Sequence, residues 1–384
     1  MAGYRSVGEL PKKEHSLFEG VEGRLAEELV GQAGFSGPSS LLYHRHSPSA
    51  LLFAEALVVA REETSPNAAL EPMHLRLGEL AAADDPVLGR HVLLGNAEVT
   101  VCFARACGSG PLYRNAAGDE LLYVQRGRGV LESVFGRLPF AAGDYLLVPA
   151  STTHRLVVDD ADGVDLLILE ARGHLGFPER YVGPGGHFLE GAPFSERDLR
   201  APAEPLLEEG EEVEVIIRHR AGWARHRYAH HPFDVVGWDG SVYPLALSIA
   251  DFEPVVGRFH QPPPVHQTFV GPAFVVCSFV PRPLDFDPRA VPAPYHHANT
   301  DSDEVIFYAD GDFLSRAGSG IGRCSMTLHP AGFVHGPQPG AVEASLGASR
   351  TDETAVMIDT FSPLAVSPSA RGCADPSYLR SWLS

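Results

Sequence analysis

The stretch PYHHANTDSDEVIFYADGDF (294–313), with SMTLHPAGFVHGP (325–337) after it, decides how this 384-residue chain is read. The apolar run Val305 to Tyr308 is short and bounded by turn-forming residues, Thr300 to Asp303 before it and Asp310 and Gly311 after it. Such a run marks a β-strand and not a helix. Glu304 opens the run, Gly311 closes it, and Pro330 and His335 follow. The same order occurs earlier in the chain as Glu120, Gly127, Pro149 and His154. Recurrence at this spacing implies one β unit used twice.

Working outward, 39 glycines and 32 prolines punctuate short runs rich in Val, Leu, Phe and Tyr, among them Glu120 to Val124, Tyr145 to Val148, Asp165 to Glu170 and Phe274 to Val280. Helical periodicity is nearly absent, and only Pro48 to Glu63 is open to reading as one helix or two strands. The expected fold is mainly β, two jelly-roll barrels with short helices and long loops. SERDLRAPAEPLLEEGEEVEV (195–215), rich in Glu and Pro, reads as an exposed acidic connection. It divides the chain into a first unit, 1–194, and a second, 216–384, which carries the complete motif.

The formal charge of −19 repels nucleic acid and anionic membrane surfaces, so neither is an expected partner. Five cysteines without a CxxC pair give neither a zinc finger nor a disulfide framework. The longest apolar stretch, Ala50 to Ala60, is interrupted by Glu55, and MAGYRSVGELPKKEHSLF lacks the apolar core of a signal peptide. A cytoplasmic protein with reduced thiols is the expectation.

The repeated pattern is similar to the two cupin motifs, an HxH segment leading to Glu and Gly, then Gly, a spacer and PxGxxH. In the second unit Gly322, Pro330, Gly332 and His335 complete the latter, while the former has His297 and Glu304 but Asn299 in place of a second histidine. Two imidazoles and one carboxylate, His297, His335 and Glu304, are the donor set of a facial-triad iron(II) site that leaves three positions open. A structural zinc site would use four protein ligands, usually with cysteine, and no cysteine lies in the 297–304 segment; zinc in a catalytic role is second choice. His296 is the alternative to His297, although in an extended segment it faces the other way. In the first unit the HxH places fall on Arg114 and Ala116, or on Tyr113 and Asn115, so Glu120 and His154 are expected to be hydrogen-bonding residues without a metal.

Beyond the motifs, HHPFDVVGWDGSVYP, FHQPPPVHQTF, PYHHANTDSDEVIFYADGDF, SMTLHPAGFVHGP and DETAVMIDTFSPLAV in the second unit resemble the homogentisate 1,2-dioxygenases, as does GDELLYVQRGRGVLESVFGRLPFAAGDYLLVP more weakly in the first. The resemblance implies Fe(II), dioxygen, cleavage of a hydroquinone ring, and a homo-oligomer, trimer or hexamer. It implies metal ligands His297, Glu304 and His335, an acid/base histidine at His260, and a substrate contact at His329. Phe313 stands near the place of a substrate-contacting tyrosine, and one extra residue lies between His297 and Glu304; His296 or Tyr308 is then a candidate to replace the missing hydroxyl. Two other classes remain: a non-oxidative zinc, manganese or nickel cupin acting as isomerase or hydrolase, and a cupin that only binds a small molecule.

Overall fold

The computed structural model describes residues 3–20, 23–257, 263–316 and 319–383. Among them the strands form sheets of four, nine, seven and six strands and two two-stranded ladders, while the two α-helices, Ala341–Ser345 and Pro368–Gly372, are one turn each. The chain is mainly β and of the cupin type, as its strand order shows. Val99–Ala106, Glu120–Arg126, Asp144–Val148 and Val164–Ala171 lie in the nine-stranded sheet. The strands between them in sequence, Tyr113–Asn115, Arg128–Ser133, Gly136–Ala141 and His154–Val158, lie in the seven-stranded sheet. Leu122, Val124, Leu131, Phe140, Leu156 and Ile168 fill the space between the two. In the second half, Gln267–Gly271, Phe274–Phe279, Asp303–Asp310, Ser325–His329 and Thr354–Thr360 build the six-stranded sheet.

The six- and nine-stranded sheets pack face to face, with Phe103, Leu121, Tyr123 and Leu169 of one meeting Phe269, Val305, Phe307 and Ile358 of the other in a single core. Tyr123 and Phe307 stand 6.1 Å apart at the ring centroids, and the Tyr145 hydroxyl is hydrogen-bonded to Ser278 at 2.9 Å. A strand covered on both faces has no need to alternate. That is why VDLLILEA, Val164–Ala171, is apolar nearly throughout and buried at every position.

Each half also lends the other a strand. Met73–Arg76 pairs with Ser325–His329 at the edge of the six-stranded sheet. Ala365–Val366 inserts beside His91–Gly95 in the nine-stranded sheet. The acidic connection is itself partly strand: Glu211–His219 pairs in parallel with Tyr113–Asn115 and antiparallel with Gly222–His230. Its sequence EEVEVIIRH turns Val215 and Ile217 inward, with acids on the other face. Val235–Gly240 pairs with Ser39–His44, and Leu245–Ser248 with Asp144–Val148, so strands as far as Ser248 are built into the first half's sheets. Within 48–63, Leu51–Leu57 is one strand on the edge of the seven-stranded sheet.

Candidate metal centre

The strand Asp303–Asp310 presents two faces. Val305 and Phe307 enter the core, whereas Glu304, Ile306 and Tyr308 line a cavity of about 570 Å³ on the other side. Register sets Glu304 between His329 and Asp359 on the neighbouring strands. Gly311, which ends the strand, has φ +89°, and a Cβ there would lie 2.0 Å from the Asp352 carbonyl oxygen. Gly127 has φ +90° in the corresponding turn of the first half, with a Cβ 2.4 Å from the Gly163 carbonyl oxygen. Both motif glycines answer the same need for a left-handed turn under a crossing backbone.

His297 and His335 are held to one another by a two-residue bridge, each amide donating to the other's carbonyl at 2.8 and 2.9 Å. The turn before His335 is fixed at Gly332, whose amide donates to the Asn299 carbonyl at 2.6 Å, and at Ala331, whose amide donates to Asp303 at 2.8 Å. The other Asp303 oxygen accepts the Leu364 amide at 2.7 Å. Asp303 therefore anchors both loops that flank Glu304.

Nδ1 of His297 bonds to the Tyr295 carbonyl at 3.1 Å and Nδ1 of His335 to the Phe333 carbonyl at 3.0 Å. A carbonyl only accepts, so Nδ1 is the protonated nitrogen in each ring and the Nε2 atoms turn toward Glu304. His335 Nε2 lies 3.1 Å from Oε1 and His297 Nε2 lies 3.7 Å from Oε2. Donor atoms of all three residues fall within 4.8 Å of one another. Two imidazole nitrogens converging on a carboxylate require a proton or a cation between them. Adjacent ligands of an octahedral ion with bonds of about 2.1 Å lie roughly 3 Å apart, so the donor set fits a divalent metal. Burial alone would raise the Glu304 pKa, but the close approach of the His297, His329 and His335 imidazoles outweighs it and holds the carboxyl well below its usual range.

His329 is fully buried and is absent from the cavity lining. Its Nδ1 is 2.9 Å from Glu304 Oε1, its Nε2 is 2.8 Å from the Tyr378 hydroxyl, and its ring stacks on His335 at 3.9 Å. Burial depresses its pKa to about 3, so it is a neutral ring donating to Glu304 and accepting from Tyr378. In this geometry the ring braces the carboxylate, with Nδ1 engaged by Glu304 and Nε2 by Tyr378. His296 is exposed, lies against Gly336 and is not among the residues that line the cavity. Phe313 does line the cavity, edge-on to Tyr308 at 4.8 Å. His260 lies outside the described residues. Asn299 has its amide 3.4 Å from Asp359, whose carboxyl is raised to about 7 by burial and by the nearby Glu304 charge.

Sequence reading did not single out Asp303, Arg316 or Tyr378. Asp303 adjoins Glu304 and was open to inference; Tyr378 reaches the site from beyond the last motif, and no local pattern announces it.

In the first half, Glu120 accepts from Arg90 at 3.0 Å, from the Tyr113 hydroxyl at 2.8 Å and from Asn115 at 3.0 Å. His154 bonds through Nδ1 to the Thr152 carbonyl at 3.0 Å.

Comparison with known proteins adds the lineage. Residues 94–249 match the family model described as homogentisate 1,2-dioxygenase, N-terminal. A Saccharolobus solfataricus protein, provisionally named a dioxygenase, is 39% identical over 386 residues, covering 100% of this chain and 99% of its own. The homogentisate 1,2-dioxygenase of Emericella nidulans is 27% identical over 290 residues, covering 70% of this chain but only 62% of that enzyme. A solved cupin barrel protein from Leptotrichia buccalis covers 79% of this chain at 9% identity with a TM-score of 0.33, a likeness too slight to carry argument. Among the described residues no helix is long and apolar enough to cross a membrane. A full-length relative of this similarity, alongside matches to named enzymes of one kind, makes the chain a member of the homogentisate 1,2-dioxygenase family, a cupin oxidoreductase of the dioxygenase type.

Proposed function

We propose that the chain is an iron(II)-dependent, extradiol-type ring-cleaving dioxygenase that opens homogentisate, to maleylacetoacetate, or a closely related hydroquinone, in the catabolism of aromatic compounds. The observation that carries this reading is the convergence of His297, Glu304 and His335 beside a cavity of about 570 Å³, within the range of small-molecule sites. Those three residues would hold the iron on one face. Iron(II), when bound, supplies the redox chemistry and acidifies a ring hydroxyl.

The chain's own residues bind and orient. Phe279, Ile306, Phe313 and Met357 give the cavity apolar walls that hold the ring and exclude water. His329 and Tyr378 keep the Glu304 carboxylate in one orientation. His260, which resemblance assigns as the acid/base group, would take the hydroxyl proton and later return it, as an imidazole titrating near neutrality is suited to do.

The test is oxygen uptake by the purified chain after anaerobic iron loading, with homogentisate, gentisate and methylhydroquinone as substrates. Uptake matched by a ring-opened product is expected, and His260→Ala should keep its iron while turnover falls about 10²–10⁴-fold. If none of the three compounds prompts uptake, the reading is wrong.

A further inference from the structure

Three arginines are buried among the described residues, and two of them have carboxylate partners. Arg90, 9% exposed, donates to Glu120 at 3.0 Å and Glu170 at 2.8 Å, and Arg218, 5% exposed, lies against Glu170. Arg316, 4% exposed, differs from both. Its Nε donates to the Tyr308 hydroxyl at 3.1 Å and its Nη1 to the Gly336 carbonyl at 2.8 Å, two neutral acceptors. No carboxylate of the described residues stands within ion-pair distance of it. Glu304, the acid that acts on it electrostatically, faces His297, His329 and His335 and makes no ion pair with the guanidinium.

A buried cation without a counter-ion is among the costliest arrangements a protein can hold, and a guanidinium cannot escape the cost by losing its proton. Local rules broken in this way are expected at sites built for a ligand. Arg316 lines the same cavity as His297, Glu304 and Phe313. It is also preset: its amide closes the turn Leu314–Arg316 on the Phe313 carbonyl at 2.8 Å, and Ser315 accepts the Gln338 amide at 2.9 Å. The two bonds to Tyr308 and Gly336 fix the plane of the guanidinium before any ligand arrives.

We infer that Arg316 binds a carboxylate carried by the aromatic substrate and so sets which end of the ring faces the metal ligands. The inference rests on the ring-cleaving reading above and assigns the residue that reads the acid end of the substrate. Phe313 brings no hydroxyl to that part of the cavity, and the guanidinium three residues on supplies a stronger, charged donor.

The experiment is anaerobic calorimetric titration of the iron-loaded chain with homogentisate and with its methyl ester, which lacks the charge at that end and adds one methyl group. The wild type should bind the acid about 10- to 100-fold more tightly, the range of a charge-assisted hydrogen bond. Arg316→Gln should lose that preference by weakening the acid and leaving the ester within about twofold, and Arg316→Lys should keep part of it. Iron content is measured in each variant, because Arg316 also holds Gly336 beside His335. Equal affinity of the wild type for acid and ester overturns the inference without any variant, and so does a parallel loss of both ligands in iron-replete Arg316→Gln. If the wild type binds neither, the homogentisate reading fails on its own; gentisate against gentisamide then decides for Arg316, and absence of an Arg316-dependent preference for the acid overturns it.

Discussion

The two halves of the chain place a glutamate at the same step of the same motif and surround it with opposite chemistry. Glu304 faces three imidazoles, two of which turn lone pairs inward, so its negative charge calls for a cation from outside. Glu120 and its strand neighbour Glu170 face Arg90, Arg61 and Arg218, and the cation is already part of the chain. One barrel position can therefore be a metal ligand or a structural ion pair, depending on whether neighbouring side chains bring a lone pair or a fixed positive charge. The glutamate alone does not tell them apart.

The largest effect should come from removing the acids in turn. Glu304→Ala is expected to abolish metal binding as read by elemental analysis, with the fold kept. Glu170→Ala should leave the metal in place and destabilise the chain by about 3–5 kcal/mol in denaturant unfolding, because Arg61 and Arg218 lose their counter-charge and Arg90 keeps only Glu120. Metal lost equally from both variants would erase the contrast between the halves.

A smaller effect sharpens it. His329→Phe keeps the aromatic stack on His335 but removes the bond to Glu304, and metal affinity should drop by about 10–100-fold, as for a group orienting a ligand. Homogentisate affinity in metal-saturated protein should not change. A reversed result, with substrate affinity lost and metal affinity intact, would restore His329 as a substrate contact.

The smallest is Phe313→Tyr, which offers the cavity a hydroxyl. With an unpaired polar group costing about 1–3 kcal/mol, a several-fold rise in kcat/KM for homogentisate is expected if the native site leaves a substrate oxygen unsatisfied. A fall in kcat/KM instead would make Phe313 a packing residue against Tyr308.

The parts of the site that were legible in sequence are those whose causes are local. Glu304 to Gly311 is one strand and its turn, and Pro330, Gly332 and His335 lie on a single bend, so fixed offsets report fixed geometry. The mainly β character was equally plain, since runs such as Val164–Ala171 are too short for helices and closely flanked by turns. Strand register is not local. The pairing that sets His329 against Glu304, and so buries it, depends on how two strands slide past each other, which residue spacing does not fix. The Glu211–His219 strand was hidden by its acids, although its alternation of Glu with Val and Ile is the period of a half-buried strand. Tyr378 and Met73–Arg76 reach the six-stranded sheet from opposite sides of its sequence.

The exchange of strands has a consequence for anyone wishing to isolate the chemistry. Cutting away the first 80 residues would strip Met73–Arg76 from the flank of Ser325–His329 and leave that strand's backbone donors and acceptors open along the sheet margin. The exposed strand is the one that positions His329 and leads into the His335 turn. A fragment holding His297, Glu304 and His335 would thus present them poorly to a metal and be prone to stick to its own kind, because the second half is finished only by a segment made long before it.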